Sequence, residues 1–201
     1  GESLVWVKVP QIDASSDTDH IFLYYGNSTF TDTQAPQDVW DSDYLGVYHM
    51  TGVTDTIPDS STLQKHGVNA GAVSQAGQIS ESIYFDGSDL ASLGNSSYLP
   101  QGNNAITVCA WVTQASLGTV PEIFFSAGTN DDDDGYFLGT SSPNPSKLWT
   151  GTFGNNNHHG TSSPSPNTWY YHCGAYSPGS SSIFYNGTKE DTDIRNFNFT
   201  P

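Results

Sequence analysis

Short apolar runs alternate with polar clusters along most of this 201-residue chain. The runs are rich in β-branched and aromatic residues, and Gly, Pro, Asn, Asp and Ser cluster between them, as is typical of strands joined by turns. No window of helical length sustains the apolar spacing of an amphipathic helix, although one short helix is expected near Pro36 in TQAPQDVW. The predicted strands are Leu4–Val9, Ile21–Tyr25, Val47–His49, Ser82–Phe85, Ile106–Thr113, Glu122–Ser126, Tyr136–Thr140, Lys147–Thr152, Thr168–Tyr176 and Ser181–Tyr185.

Many short strands separated by turns predict an all-β fold, an antiparallel β-sandwich. Two regions of the chain differ in character. Residues 1–45 hold two predicted strands and a long polar stretch, whereas residues 46–201 have the pattern of one continuous sandwich. We therefore predict part of a small β-domain over 1–45, followed by a sandwich over 46–201.

Acidic residues dominate the charge of the chain. It contains 21 Asp and Glu against 5 Lys and Arg, a formal net charge of −16. Such a chain repels phosphates and anionic lipid headgroups, which argues against binding to nucleic acid or to a membrane surface. No apolar run approaches the roughly 20 residues of a membrane span. Neutral or cationic partners, such as sugars and metal ions, are favoured.

Three stretches between residues 83 and 188, IYFDGSD, AITVCAWVT and TWYYHCGAYSPGSSSIFYNGT, together resemble the concanavalin A-like, laminin-G-like jelly roll. Upstream, VWVKVPQIDASSDTDHIFLYYGN and VWDSDYLGVYHM resemble a small β-domain of unknown function that precedes such modules in archaeal and bacterial surface proteins. The resemblance implies an extracellular or cell-surface location. Both families have further strands beyond those matched here, so we expect a sandwich truncated at both ends, in a fragment of a longer protein. Completion of the sandwich by a neighbouring chain is the alternative.

The two cysteines carry a second resemblance, to the pentraxins of the same superfamily. Those proteins place one cysteine in a TVC strand and another before a hairpin similar to IFYNGT. The resemblance implies a disulfide between Cys109 and Cys173 on neighbouring strands, whereas two buried free thiols are the alternative. Closing a loop of this length contributes roughly 4 kcal/mol in the chain-entropy model. A disulfide also favours an oxidising, extracellular compartment.

Four consecutive carboxylates, Asp131, Asp132, Asp133 and Asp134, lie between two predicted strands. Adjacent carboxylates repel one another unless they are solvated or neutralised. Ca²⁺ takes six to eight oxygen ligands, which clustered carboxylates and backbone carbonyls supply. The pentraxin resemblance places acidic calcium ligands in this loop. The run is therefore a candidate Ca²⁺ site, and a solvated acidic turn is the alternative.

A long polar segment, GNNNHHGTSSPSPN at 154–167, follows Trp149. Long ordered loops are often functional. An aromatic ring offers a platform for the apolar face of a sugar, and Asn and His supply hydrogen bonds to its hydroxyls. The candidate glycan contacts are Trp149, Asn155, Asn156, His158 and His159. Both histidines are expected in an exposed loop, and alternation predicts that either Trp149 or Leu148 is buried.

Four N-x-[ST] triplets begin at Asn27, Asn95, Asn186 and Asn198. Each is a potential N-glycosylation site if the protein is secreted. In a chain this rich in Asn, Ser and Thr, unmodified loop asparagines are the alternative.

No catalytic carboxylate pair is evident. Glycosidases that share the resembled fold carry paired acids on one strand, but only Glu190 lies among other acids, in TKEDTDIR, and no second glutamate follows at the required spacing. A solvated turn is the simpler interpretation of this stretch. We therefore predict a non-catalytic extracellular module that binds a glycan or surface glycoprotein, or mediates adhesion. The alternative is a structural surface or filament subunit that self-associates through exposed sheet edges.

Overall fold

The computed structural model describes residues 4–118, 120–128, 134–141, 147–152, 157–194, 196 and 199. Contacts divide the chain into two compact units, Gly1–Gly94 and Asn95–Pro201. All strand pairs in both units are antiparallel within the described residues. The domain boundary predicted after residue 45 stays a prediction.

The first unit contains one short helix and five short strands. These are α1 (Pro36–Val39), β1 (Thr56–Ile57), β2 (Gly67–Ala70), β3 (Val73–Ala76), β4 (Glu81–Tyr84) and β5 (Leu90–Ser92). The strands form a sheet of order β1-β2-β5 and a separate β3-β4 pair. The predicted helix is confirmed, and it begins at Pro36 because proline has no N–H to lose in the first turn and a fixed helical φ.

Three predicted strands of the first unit are wrong. Leu4–Val9, Ile21–Tyr25 and Val47–His49 have no strand structure. Each segment contains the β-branched or aromatic residues that are typical of strands, but a strand also requires a neighbour for its backbone hydrogen bonds. Ile21–Tyr25 is between 67% and 91% exposed, so its apolar side chains do not pack on a sheet.

Over its described residues, the second unit is a sandwich of two four-stranded sheets. Its strands are β6 (Ile106–Val112), β7 (Glu122–Ala127), β8 (Tyr136–Thr140), β9 (Leu148–Gly151), β10 (Asn157–His159), β11 (Tyr170–Ser177), β12 (Ser180–Tyr185) and β13 (Thr188–Asp193). One sheet has the order β10-β9-β8-β7 and the other has the order β13-β12-β11-β6. Strand β9 contacts β11 and β12 across the interface, so the sheets pack face to face. The predicted antiparallel sandwich is confirmed, and six of its strands lie within two residues of their predicted ends.

Two strands of the sandwich were predicted as irregular structure. Strand β10 lies in the segment predicted as a polar loop, and β13 lies in the stretch predicted as a solvated turn. Neither stretch has apolar alternation. Both are strands because they pair with β9 and β12 respectively.

Side chains of both sheets fill the interface. Leu148, Tyr170 and Ile183 form one fully buried cluster, and Tyr136 with Tyr176 belongs to another. The sheets approach so closely at Gly174 that an added Cβ there would lie 2.6 Å from the Tyr136 hydroxyl oxygen. Only glycine fits at this point of β11 without displacing the Tyr136 and Thr150 side chains of the opposite sheet.

Candidate functional site

Trp149 and His159 lie side by side on the outer face of the β10-β9-β8-β7 sheet. They are direct partners in the register of β9 and β10. Their rings are stacked, with centroids 6.2 Å apart and an interplanar angle of 8°. His159 is exposed and Trp149 is half-buried. The structure thus brings together two of the five predicted glycan contacts as one aromatic surface, the Trp149–His159 pair.

Alternation along β9 explains why Trp149 points outward. Leu148 and Thr150 are fully buried. The Thr150 hydroxyl lies 2.9 Å from both the Tyr136 hydroxyl and the Phe137 carbonyl oxygen. Burial raises the pKa of Tyr136 far above its ordinary value, so its hydroxyl stays protonated in this contact. These inner contacts hold β9 in place, and Leu148 is the buried member of the predicted pair.

Phe137 supports the indole from the neighbouring strand. Its ring centroid lies 3.9 Å from that of Trp149, and its own side chain is fully buried. The indole Nε1 of Trp149 is buried and makes no hydrogen bond within the described part of the chain. The position of the indole is therefore set by packing rather than by a polar contact.

His158 lies on the opposite face, which corrects the expectation that both histidines are exposed in a loop. It is 2% exposed. Its Nδ1 lies 3.1 Å from the Ser181 hydroxyl, and its Nε2 lies 3.7 Å from an Asp191 carboxylate oxygen. Because successive strand residues point to opposite faces, β10 places His159 outside and His158 between the sheets. His158 is thus part of the inter-sheet packing, separate from the Trp149–His159 pair.

Five of the other predicted glycan and metal contacts lie outside the described residues. Asn155 and Asn156 lie there, as do Asp131, Asp132 and Asp133. Asp134 is described, and it is half-buried just before β8. Within the described ranges, no group of three or more His, Cys, Asp or Glu side chains is placed to hold a metal ion. The calcium site stays a prediction.

Among the asparagines of the four triplets, Asn27, Asn95 and Asn186 are exposed, and Asn198 lies outside the described residues. The Asn186 side-chain oxygen accepts a hydrogen bond from the Tyr171 N–H at 2.9 Å. Glycosylation of these positions stays a prediction.

Three glutamates have identifiable structural partners. Glu190 accepts hydrogen bonds from the backbone N–H groups of Thr161 and Ser162, at 3.1 and 3.2 Å, and so holds the segment after β10. Glu122 accepts from the Gln114 side chain. Glu81 accepts from the Gly52 N–H at 2.7 Å in the first unit. Each of these three glutamates therefore has a structural role as the acceptor of hydrogen bonds from a defined partner.

The disulfide between Cys109 and Cys173 is confirmed. The two cysteines are direct partners in the register of β6 and β11, with Cα atoms 4.1 Å apart. They lie on the outer face of the second sheet. Trp111 and Tyr171 share that face, with ring centroids 5.3 Å apart. The sequence analysis did not predict this aromatic pair. The available signal lies in the stretch VCAWV, where Trp111 comes two residues after Cys109 and so points to the same face of the strand.

No helix among the described residues is long and apolar enough to cross a membrane.

A solved structure with a similar fold is domain 4 of AbnA, a GH43 extracellular arabinanase from Geobacillus stearothermophilus, in complex with arabinotriose. The match has a TM-score of 0.52 at 18% sequence identity, and it covers 67% of this chain and 68% of that one. At this identity, the likeness concerns the fold. A comparison with curated proteins found no match.

Two protein families match successive parts of the chain. A domain of unknown function (DUF2341) matches residues 1–66, in agreement with the resemblance seen in the sequence. The second family matches residues 85–200, which is more than half of the chain and includes every strand of the sandwich. By this match and by its fold, the chain belongs to the concanavalin A-like lectin/glucanases superfamily.

Proposed function

We propose that this chain is a non-catalytic, extracellular carbohydrate-binding module, and that the Trp149–His159 pair contacts the sugar. The observation that carries the proposal is the stacking of the two rings on an outer sheet face, with centroids 6.2 Å apart and ring planes nearly parallel. Aromatic rings pack on the apolar faces of sugars, and the His159 ring nitrogens supply hydrogen bonds to hydroxyls. The partner is a free glycan or a surface glycoprotein.

Four further observations support the proposal. The superfamily includes lectins by name, and the solved structure of similar fold contains arabinotriose. The net charge of −16 favours a neutral sugar over a polyanion. The disulfide is suited to an oxidising compartment, which supports an extracellular location.

The test is calorimetric titration of the full chain with arabinotriose, cellotriose and mannotriose. We expect binding to at least one of them, and we expect Trp149→Ala and His159→Ala each to weaken it by about tenfold, since buried aromatic contacts dominate such interfaces. Trp111→Ala is the matched control, because Trp111 is a 40% exposed tryptophan on the outer face of the other sheet. Unchanged affinity in both Trp149→Ala and His159→Ala would remove the pair from the binding site.

The alternative function is a structural subunit that associates with neighbouring chains through a sheet edge. Strand β7 ends the order β10-β9-β8-β7 among the described strands, and its Ile123 is 44% exposed. Edge strands with exposed apolar residues are templates for pairing with another chain. Light scattering over a range of protein concentrations distinguishes the two functions: assembly that Ile123→Lys prevents favours the structural subunit, whereas a monomer that binds sugar favours the module.

A further inference from the structure

The first unit contains a second aromatic cluster, formed by Trp6, Trp40, Tyr44 and His49. The Trp40 ring centroid lies 5.6 Å from that of Trp6 and 4.9 Å from that of Tyr44. His49 stacks on Trp6, with centroids 5.0 Å apart and an interplanar angle of 23°. Rings from three separate stretches of the chain therefore converge at one place.

Local structure brings these rings together. Trp40 directly follows α1 and has an extended backbone. The Asp41 carbonyl then accepts a hydrogen bond from the Tyr44 N–H at 3.2 Å, and its carboxylate accepts one from the Asp43 N–H at 3.1 Å. This turn returns the Tyr44 ring to Trp40. The end of the helix thus sets the spacing of two of the rings.

A surface cleft of about 510 Å³ opens over this cluster. Trp6, Trp40 and Tyr44 line it, together with the charged side chains of Lys8 and Asp41. Trp6 is 47% exposed and Tyr44 is 48% exposed, so both rings present surface to a ligand. The volume lies within the range of small-ligand sites, about 300–1,000 Å³.

We infer that this cleft is a binding site for a neutral sugar, separate from the Trp149–His159 pair and beyond the function proposed above. Tilted rings in mutual contact offer apolar platforms, while Lys8 donates and Asp41 accepts hydrogen bonds at the rim, which is the pairing that a polyhydroxylated ring requires. The charge of the chain disfavours an anionic ligand. A quaternary ammonium group is disfavoured because the Lys8 ammonium lines the same cleft and repels it.

The experiment follows the five tryptophan indole N–H signals of the ¹⁵N-labelled full chain by NMR. Single Trp→Phe variants assign the signals. Arabinotriose, cellotriose and mannotriose are then titrated separately to concentrations on the order of 10 mM, which detects millimolar affinity. We expect at least one sugar to shift the Trp6 and Trp40 signals in a saturable way.

Variants then locate the binding site. Trp6→Ala and Tyr44→Ala are each expected to weaken that binding by about tenfold or more. Both side chains are about half exposed. Two variants are used so that, if one of them fails to fold, the other still tests the cleft. Trp111→Ala, in the second unit, is the matched control and is expected to leave the Trp6 and Trp40 shifts unchanged.

Each outcome has a distinct meaning. Shifts of Trp6 and Trp40 without Trp149 support the cleft and contradict the function proposed for the sandwich. Shifts of Trp149 alone overturn the cleft and leave that function standing. Shifts of Trp6 and Trp40 with tetramethylammonium chloride, but with none of the sugars, overturn the sugar site in favour of a cation site. The absence of any shift of Trp6 and Trp40 also overturns the inference.

Discussion

His172 lies on the inner face of β11 with its side chain fully buried. Neither ring nitrogen makes a hydrogen bond within the described residues. Burial lowers the pKa of His172 to about 3, because the charged imidazolium is poorly solvated between the sheets. The folded protein therefore holds this histidine neutral over a wide range of pH, whereas the unfolded chain protonates it near pH 6.5.

This difference predicts a loss of stability in acid. The pKa of His172 is lower in the folded state than in the unfolded state, so its contribution is complete above about pH 6.5 and falls as the pH is lowered towards 3. Urea unfolding near neutral pH and at about pH 4.5 measures the loss. We expect His172→Phe to reduce this pH dependence, while His20→Phe, at an exposed position, leaves it unchanged. Equal pH dependence in wild type and His172→Phe would contradict the assignment.

The first unit also has a buried titratable group, the carboxylate of Asp59. It is 3% exposed. Its carboxylate accepts hydrogen bonds from the N–H groups of Val47, Ser61 and Lys65, at 2.8, 2.8 and 2.9 Å, and from the Ser61 hydroxyl at 2.8 Å. Burial by itself would raise the pKa of Asp59, but these hydrogen bonds outweigh it and lower the pKa below its ordinary value.

We expect Asp59→Asn to destabilise the first unit by about 2–3 kcal/mol, since an amide NH₂ would face N–H donors that now meet an oxygen. The lowered pKa means that the stabilisation is present above the unfolded pKa of about 4 and is lost as the pH falls below it. Chemical denaturation at neutral pH measures the effect. Asp55→Asn, at an exposed aspartate, is the matched control. Equal stability of the two variants would show that the hydrogen bonds of Asp59 contribute little.

At the scale of elements, the disulfide joins β6, the strand at one end of its sheet in the described order, to its neighbour β11. It closes a loop with a sequence separation of 64 residues. Reduction is expected to cost roughly 4 kcal/mol, because the unfolded chain regains the entropy of that loop. Thermal unfolding with and without reductant measures the loss, and the Cys109→Ala/Cys173→Ala double variant should be insensitive to reductant. Two reactive thiols in the denatured, unreduced protein would contradict the bond.

The acidic run Asp131–Asp134 lies between β7 and β8 in the sequence. If the run binds Ca²⁺ with a dissociation constant of about 10⁻⁴–10⁻³ M, millimolar Ca²⁺ should raise the melting temperature relative to chelator by mass action. The Asp132→Asn/Asp133→Asn variant should lose this shift. Sodium chloride at equal ionic strength controls for screening. The same melting temperature in Ca²⁺ and in the sodium chloride control would favour the solvated acidic turn.

At the scale of the whole molecule, 21 acidic and 5 basic residues leave a net charge of −16. Self-repulsion of this charge opposes the compact state, and salt screens it. We therefore expect sodium chloride, raised from about 0.01 M to about 0.3 M, to increase the melting temperature. Differential scanning calorimetry at neutral pH measures the change. A decrease over this range would show that attractive ion pairs outweigh the repulsion.

The sequence by itself was sufficient to predict the sandwich and six of its strands. Strands such as Tyr136–Thr140 and Ile106–Val112 contain enough apolar residues to be recognised without their neighbours. The family resemblance and the cysteine pairing were likewise carried by local motifs, because a TVC strand and a WYYHC strand keep their pattern wherever they pack.

Tertiary structure decided what depends on a partner strand. Strands β10 and β13 are short and polar, and they form because β9 and β12 supply their hydrogen bonds. The same pairing sends His158 into the core and His159 beside Trp149, a distinction that two adjacent histidines in a polar segment do not reveal. Conversely, Ile21–Tyr25 has the apolar and aromatic composition of a strand but pairs with no other strand among the described residues, so it is not a strand. A strand pattern is local, whereas the hydrogen bonds that make a strand come from elsewhere in the chain.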